Sequence, residues 1–453
     1  MVLMNYKEQV KFLRERDSGF AGAVELLKSL RRSSSVVVFS HHDVDGIASA
    51  FILQRLCRRL GAKVVVKLPE GFRLLAEELE TAVRGTVDLL LISDKGTFAS
   101  YDDFFRKAEN VLILDHHPLD GRPTRCTVFN PAPEYPVGTA TALLCHMLAT
   151  QLGPTDEHDD LVALIGCRGD AVFDPVENRC DDFARPFVER ARQLFPRLFR
   201  TRLGCPTMYD LVDRRRTALV NQITEAAYAG TLAHYYEAET RGGAYGPELV
   251  FTFLNDLARR GENPAEFRSL DDVLGKLPAG AIISRTLQRF YLDWELLSGR
   301  VQSPVFLGEV QGVGVYLAFA KEAPSMQSAP FPTILPHVAA TQLEPLKRAF
   351  GHEETAIIVF CPKEIGVQVS MRGGGGVINC GQFCSRLAER LRRLFPPGAG
   401  IEGGGHVAAA EFFAGKSVPI YAVMRELLWM AEELFQQGSG SSGGQEPSVK
   451  VME

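Results

Sequence analysis

The chain has 453 residues, 46% apolar and 23% charged, a balance that suits globular protein with room for roughly two or three domains. Its formal net charge of −5 excludes indiscriminate coating of nucleic acid, so any such binding must come from a local basic groove. No apolar run is long enough to span a bilayer, and nine scattered cysteines without a CxxC pair suit a reducing compartment. A cytoplasmic protein without a membrane partner is expected.

Residues 1–34 begin with a charged stretch (Lys7, Glu8, Lys11, Arg14, Glu15, Arg16) that predicts a solvated amphipathic helix rather than a targeting signal. From Ser35 onward, apolar runs of strand type alternate with helical spacing. The runs are 36–39, 64–66, 87–92 and 111–114. Ile47, Phe51, Ile52 and Leu56 recur at helix spacing after the first, and further helices are predicted over 72–83 and 101–109. Continuous apolar strands alternating with helices predict an α/β fold with a parallel sheet covered by helices, here over 35–175. Ligands of such sheets sit outside the carboxyl ends of the strands.

The run 161–165 reads as helix, and residues 176–303 read as a mostly helical insert or linker with no chemistry of their own. Strand-rich segments at 305–319 and 356–371, with helices over 343–350 and 380–394, predict a second, smaller α/β domain at 304–436. The Gly/Ser-rich end, 437–453, reads as a disordered tail.

Five short motifs carry chemistry, and four of them follow apolar runs. Asp43 and Asp45 lie two apart after the first strand, preceded by His41 and followed by Gly46, which is expected to permit a sharp turn. Helix capping accounts for one of these carboxylates but not for both plus His41. Asp94, with Gly96 two residues on, is by itself a common turn former; its weight comes from company. Asp115, His116 and His117 end the fourth strand, and adjacent histidines on an extended chain face opposite ways. One is then a ligand and the other contacts phosphate or gives a proton. Asp170 adds a further carboxylate.

So many carboxylates and imidazoles at strand ends require a strongly positive centre. The mixed donor set suits Mn²⁺ better than Ca²⁺, which takes oxygen alone. Two cations about 3.5 to 4 Å apart can activate a shared water and clamp the oxygens of a phosphoryl displacement. Downstream, Gly403, Gly404, Gly405 and His406 read either as a plain loop or as a glycine run opening a helix, able to set backbone N–H groups against an anion. Arg372, at a strand end, offers a guanidinium for a second phosphate contact.

These motifs, taken in order, resemble the DHH phosphoesterase family, in the branch whose second domain is the DHH-associated domain with a GGGH motif. The resemblance spans roughly 35–175 and 305–430. It implies a phosphoesterase with two Mn²⁺ ions, for which Mg²⁺ or Co²⁺ can substitute. It further implies Asp43, Asp45, Asp94, His116 and Asp170 as metal ligands, with Asp94 bridging and His41 a further ligand. His117 would contact the scissile phosphate or leaving group, and Arg372 with Gly403, Gly404, Gly405 and His406 would hold the nucleotide end of the substrate. Asn130 and Pro131 would lie behind the ligands.

Many family members carry a His four residues before the first Asp, where this chain has Phe39. The His41 spacing and the long insert look more like the RecJ-type exonucleases, although no run of short strands suggests their added oligonucleotide-binding barrel. The leading expectation is therefore an exonuclease acting on single-stranded nucleic acid. The alternative is a small-substrate hydrolase: an oligoribonuclease, a 3′-phosphoadenosine 5′-phosphate phosphatase or a cyclic dinucleotide phosphodiesterase. An inert, Cdc45-like replication scaffold is disfavoured by the intact ligand set. A long strand would need a basic track, for which Arg214, Arg215, Arg216, Arg386, Arg390 and Arg393 are the candidates.

Overall fold

The computed structural model describes residues 4–132, 139–236, 245–301, 303–329 and 333–439. The predicted tail lies, from residue 440 on, outside the described residues; before it the last helix continues to Ser439. The chain divides into two compact units, Met1–Leu287 and Gln288–Glu453, both mixed α/β.

The first unit opens with α1 (Tyr6–Arg16) and α2 (Ser18–Lys28), where the sequence predicts one solvated helix. Asp17 ends α1 and caps α2 by accepting the Phe20 N–H. One face of α1 is buried through Tyr6, Val10 and Leu13. The Tyr6 hydroxyl lies 2.7 Å from His146 Nδ1, and His146 Nε2 lies 2.9 Å from Asp160. Arg190 grips both oxygens of the same carboxylate.

The sheet region follows as β1 (Ser35–Ser40), α3 (Val44–Arg59), β2 (Lys63–Lys67), α4 (Ala76–Ala82), β3 (Val87–Ser93), β4 (Thr97–Phe98), β5 (Ala108–Leu114), β6 (Leu119–Asp120) and β7 (Thr127–Phe129), then α5 (Thr141–Leu152) and α6 (Glu157–Gly169). Strands β1, β2, β3, β5 and β7 form a parallel sheet in the order β2-β1-β3-β5-β7. Val38, Leu91 and Leu112 are wholly buried, as expected of strands covered on both faces.

Two predicted helices are shorter than their apolar spacing suggests. The one over 72–83 is α4 alone, preceded by an irregular loop, and the one over 101–109 is a 3-10 stretch, Ala99–Arg106, running into β5. Tertiary packing overrides local spacing in such short segments. The remainder of the unit is mostly helical, with short hairpins: β8 (Phe173–Asp174), β9 (Arg179–Cys180), α7 (Arg185–Leu194), α8 (Pro196–Phe199), β10 (Thr201–Leu203), β11 (Arg216–Ala218), α9 (Leu219–Thr231), α10 (Ala233–Tyr236), α11 (Gly246–Arg260), α12 (Leu270–Leu274) and α13 (Pro278–Arg300), within which the division between units falls.

The second unit contains β12 (Val305–Val310), β13 (Val313–Phe319), α14 (Leu335–Thr341), α15 (Leu343–Phe350), β14 (Glu354–Lys363), β15 (Gly366–Gly373), α16 (Cys380–Leu394), β16 (Glu402–Gly405), β17 (Ala409–Gly415) and α17 (Ile420–Ser439). Its sheet runs β12-β13-β14-β15-β17-β16, with only β13 and β14 parallel. Val369, Met371, Phe412, Cys384 and Leu387 anchor its core between sheet and helix.

Candidate metal centre

Strand register sets the level of the site. β1 pairs with β3 so that Ser40 faces Ser93, and β3 pairs with β5 so that Ser93 faces Leu114. The next residues on the three strands are His41, Asp94 and Asp115, which therefore leave the sheet side by side. β1 and β3 flank the point where strand order reverses, the place where open α/β sheets bind ligands. Ser93 Oγ donates to Ser40 Oγ (2.7 Å), which donates to the Gly46 carbonyl (2.6 Å), tying the start of α3 to the sheet. Gly46 is required for room rather than for a special turn: a Cβ there would lie 2.4 Å from the His41 carbonyl oxygen.

Asp43 serves in two places at once. One oxygen caps α3 by accepting the Gly46 N–H (2.8 Å), and the other lies 2.9 Å from His41 Nδ1. Burial alone would raise this carboxyl, but the charge and hydrogen bond of His41, with the Gly46 N–H, hold it well below the usual carboxylate range.

Asp45 is wholly buried in the first turn of α3. Its oxygens accept the N–H groups of Thr141 (2.7 Å) and Ala142 (2.9 Å), which open α5; a helix N-terminus favours such a charge. Gly166 lets α6 approach, since a Cβ there would stand 2.8 Å from Asp45 Oδ1 and 2.5 Å from Ala142 Cβ.

Asp94 has a left-handed backbone, φ 59°, a conformation Asp tolerates better than most residues. Its N–H donates to the Leu114 carbonyl (2.9 Å). Oδ1 accepts the Thr141 hydroxyl (3.0 Å) and lies 3.3 Å from His116 Nε2 and 3.8 Å from His117 Nδ1. Oδ2 is buried and, among the described residues, accepts no hydrogen bond; His41 Nδ1 stands 3.8 Å away. His116 Nε2 also lies 3.0 Å from Asp170 Oδ2 and 3.9 Å from Asp45 Oδ2.

Asp115 has a different duty. One oxygen accepts the Thr97 hydroxyl (2.8 Å) and the Asn130 amide (3.2 Å), and the other lies 2.9 Å from His117 Nδ1. Asn130 also donates to the His117 carbonyl (2.9 Å). A carboxylate against one ring nitrogen fixes the tautomer and orientation of an imidazole.

The structure thus brings His41, Asp43, Asp45, Asp94, His116, His117 and Asp170 together. Three sets of donor atoms in this unit each lie within 4.8 Å of one another: His41, Asp43 and Asp94; Asp45, Asp94 and His116; and Asp94, Asp115 and His117. Asp94 is common to all three. Burial pushes Asp94 well above the usual carboxylate range, reinforced by Asp45 and Asp43, and pushes up Asp45, reinforced by Asp170. Crowded buried carboxylates, mixed O and N donors and the orphaned Asp94 Oδ2 fit divalent cations. Thr141 escapes a sequence reading because nothing in its own neighbourhood marks it, whereas Thr97 and Gly166 lie within two of the motifs and only their contacts with Asp115 and Asp45 are new.

In the second unit the predicted substrate residues take other positions. The glycine run does not open a helix: Gly403, Gly404 and Gly405 form the edge strand β16, paired with β17, and His406 follows in the hairpin. The glycines admit α16, since a Cβ on Gly403 would meet the Cys384 carbonyl at 2.4 Å. The first N–H groups of α16 donate to the carbonyls of Val407 (2.8 Å) and His406 (2.9 Å). Arg372 donates to the Ala410 carbonyl and to Glu411 Oε1, both at 2.8 Å. Glu411 also accepts from Ser370 and Gln368, each at 2.7 Å.

Residues 35–165 match the model of the DHH family, N-terminal domain. This segment is a DHH-family domain. Comparison with curated protein sequences returns no match. Among solved structures, the chain resembles RecJ from Thermus thermophilus in complex with Mn²⁺, with a TM-score of 0.56 at 19% identity, over 92% of this chain and 55% of that one. It therefore spans about half the length of that RecJ. It also resembles an exonuclease RecJ bound to manganese (TM-score 0.50, 18% identity, 91% of this chain and 94% of that one). A third likeness is to the DHH domain of a member of the s1p family of ribosomal proteins (TM-score 0.58, 14% identity, 95% and 92%). At these identities the likeness is one of fold, the fold that these RecJ and DHH-domain structures share.

Proposed function

We propose that the protein is a phosphoesterase dependent on two divalent cations, Mn²⁺ foremost, that hydrolyses phosphodiester bonds at the end of single-stranded nucleic acid in the cytoplasm. The observation that carries this reading is the position of Asp94 in all three donor sets, as a carboxylate shared between two ions requires. Asp43, Asp45, Asp94, His116, Asp170 and His41 would hold the ions. When bound, they would supply Lewis-acid stabilisation of the phosphoryl oxygens and an activated water.

The remaining work falls to the chain's own side chains. Thr141 and the α5 N-terminus fix Asp94 and Asp45. Asp115 and Asn130 hold His117 by Nδ1 and its carbonyl, so Nε2 is the atom that would give a proton to the leaving oxygen, from the doubly protonated ring that Asp115 would stabilise. Arg372, His406 and the Gly403 to Gly405 strand are assigned to the far end of the substrate.

The arginines favour short substrates as a second reading. Arg214 is held by the carbonyls of Thr207 (2.7 Å) and Asp210 (3.1 Å), Arg386 by Glu433 (2.9 Å), and Arg390 by Glu426 (2.7 Å) while stacking on Trp429. These three, expected to form part of a basic track, are neutralised or tied to their own unit.

The test is incubation of purified protein with Mn²⁺ on end-labelled single-stranded DNA and RNA, a dinucleotide and 3′-phosphoadenosine 5′-phosphate. A ladder from a labelled twenty-mer is expected. Hydrolysis confined to the dinucleotide or the small phosphate ester would favour the second reading, and no metal-dependent hydrolysis of any would reject both.

A further inference from the structure

Between β2 and α4 the chain makes an irregular loop over residues 68–75, clamped onto the segment that follows Asp94. Lys95 Nζ donates to the Gly71 carbonyl. The Tyr101 hydroxyl accepts the Leu74 N–H (3.1 Å) and donates to the Lys95 carbonyl (2.9 Å). The Arg73 guanidinium donates to Ser100 Oγ (2.6 Å) and lies over the Phe98 ring at 4.6 Å.

The clamp presents Phe72 to the metal centre. Its ring centroid stands 4.8 Å from that of His117 and 5.6 Å from that of His41, edge-to-face with both. Gly96, at φ +71°, leaves the room: a Cβ there would come within 3.0 Å of Phe72 Cε1. Tyr101, in the same clamp, is wholly buried, whereas Phe72 keeps 36% of its surface exposed. An aromatic placed for stability alone gains by being covered. This one is held rigidly beside two imidazoles with part of its surface open.

We propose that Phe72 is a specificity-determining residue, an aromatic wall on which the nucleobase next to the scissile phosphate stacks. The substrate class is thereby base-bearing phosphodiesters rather than inorganic polyphosphates or simple phosphate esters. The proposal rests on the phosphoesterase reading and deepens it. Stacking of one base on one aromatic ring corresponds to about 5- to 150-fold in affinity or selectivity.

The experiment compares wild type, Phe72→Leu and Phe72→Trp on a dinucleotide and on the same dinucleotide with an abasic sugar beside the scissile bond, with Mn²⁺. Leucine keeps the apolar bulk beside the imidazoles and removes the aromatic face. The ratio of kcat/KM for the base-bearing over the abasic substrate is expected to fall about 5- to 150-fold in Phe72→Leu and to recover in Phe72→Trp. An unchanged ratio, with both substrates slowed alike, would reduce Phe72 to packing against His41 and His117 and overturn the proposal.

A binding arm separates this from failure of the phosphoesterase reading. Affinities of labelled normal and abasic oligomers are measured in chelator by fluorescence anisotropy. If wild type hydrolyses neither dinucleotide, a preference for the base-bearing oligomer that Phe72→Leu removes upholds the aromatic wall alone. The absence of that preference in wild type overturns it.

Discussion

Asp94 and Glu411 each sit at the centre of a polar cluster, one in each unit, and the two clusters are balanced in opposite ways. Both oxygens of Glu411 are served by the chain itself, through Arg372, Ser370 and Gln368. Asp94 shares its surroundings with Asp43 and Asp45, and its Oδ2 has no hydrogen bond among the described residues. A carboxylate whose charge is met internally can hold a fold together; one left short, among others of its kind, is completed by a cation from outside.

The largest effect expected from this contrast is at Asp94. Asp94→Asn should lower Mn²⁺-dependent hydrolysis by at least 100-fold and abolish the rise in Tm that Mn²⁺ gives the wild type. The metal-free variant should melt no lower than metal-free wild type, because a carboxylate lacking compensation has been neutralised. Retention of both the activity and the Mn²⁺-induced rise would break the comparison.

The second unit holds a more deeply buried compensated pair. Lys363 Nζ lies 3.2 Å from Glu322 Oε2, and both side chains are wholly covered. Lys363→Met strands the carboxylate and should cost about 3 to 5 kcal/mol, measured by urea unfolding. Adding Glu322→Leu should recover most of that loss, and a double variant no more stable than the single one would show that the pair is not the source.

Arg372 is half-buried, and Glu411 keeps two other donors without it. Arg372→Ala should therefore cost only about 1 to 3 kcal/mol while leaving the Mn²⁺-induced rise in Tm intact. If Arg372 also grips substrate, KM for nucleotides rises; an unmoved KM would leave it a partner of Glu411 alone.

The smallest effect is one of pH. Burial would raise Asp160, but His146 and Arg190 more than offset this and hold it below the usual carboxylate range. Tyr6, His146 and Arg190 are the groups around it. A depressed folded-state value means that the stabilisation is complete above the ordinary carboxylate pKa of about 4 and is lost as pH falls through the lower one. The Tm of Asp160→Asn should accordingly fall less steeply than that of wild type between about pH 5 and pH 2. Parallel acid limbs would remove Asp160 from the account.

What the sequence makes legible follows the range of the forces involved. Apolar periodicity places β1, β2, β3 and β5, and its helix ranges 343–350 and 380–394 coincide with α15 and α16. The motifs at strand ends point to the crevice because strand ends are local features. Asp43 is read either as a cap or as a ligand, and the structure shows the capping bond and the approach to His41 on separate oxygens. The Phe72 loop is misread as helix because the bonds that decide it come from Lys95, Ser100 and Tyr101, more than twenty residues along the chain. The glycine run is misread because its determinant is the approach of α16, which no local pattern records. Arg386 and Arg390 are read as part of a track because their carboxylate partners, Glu433 and Glu426, lie on another helix.

The shared level of Ser40, Ser93 and Leu114 also governs how this chain can change over generations. Segments joining the strands can lengthen or shorten at little cost, since loop closure grows only slowly with length. Adding or losing a single residue within β3 would carry Asp94 about 3.3 Å along the sheet and turn it to the opposite face. Variation is thus open between the strands and closed within them, and an inserted sequence can alter what reaches the site without moving the site itself.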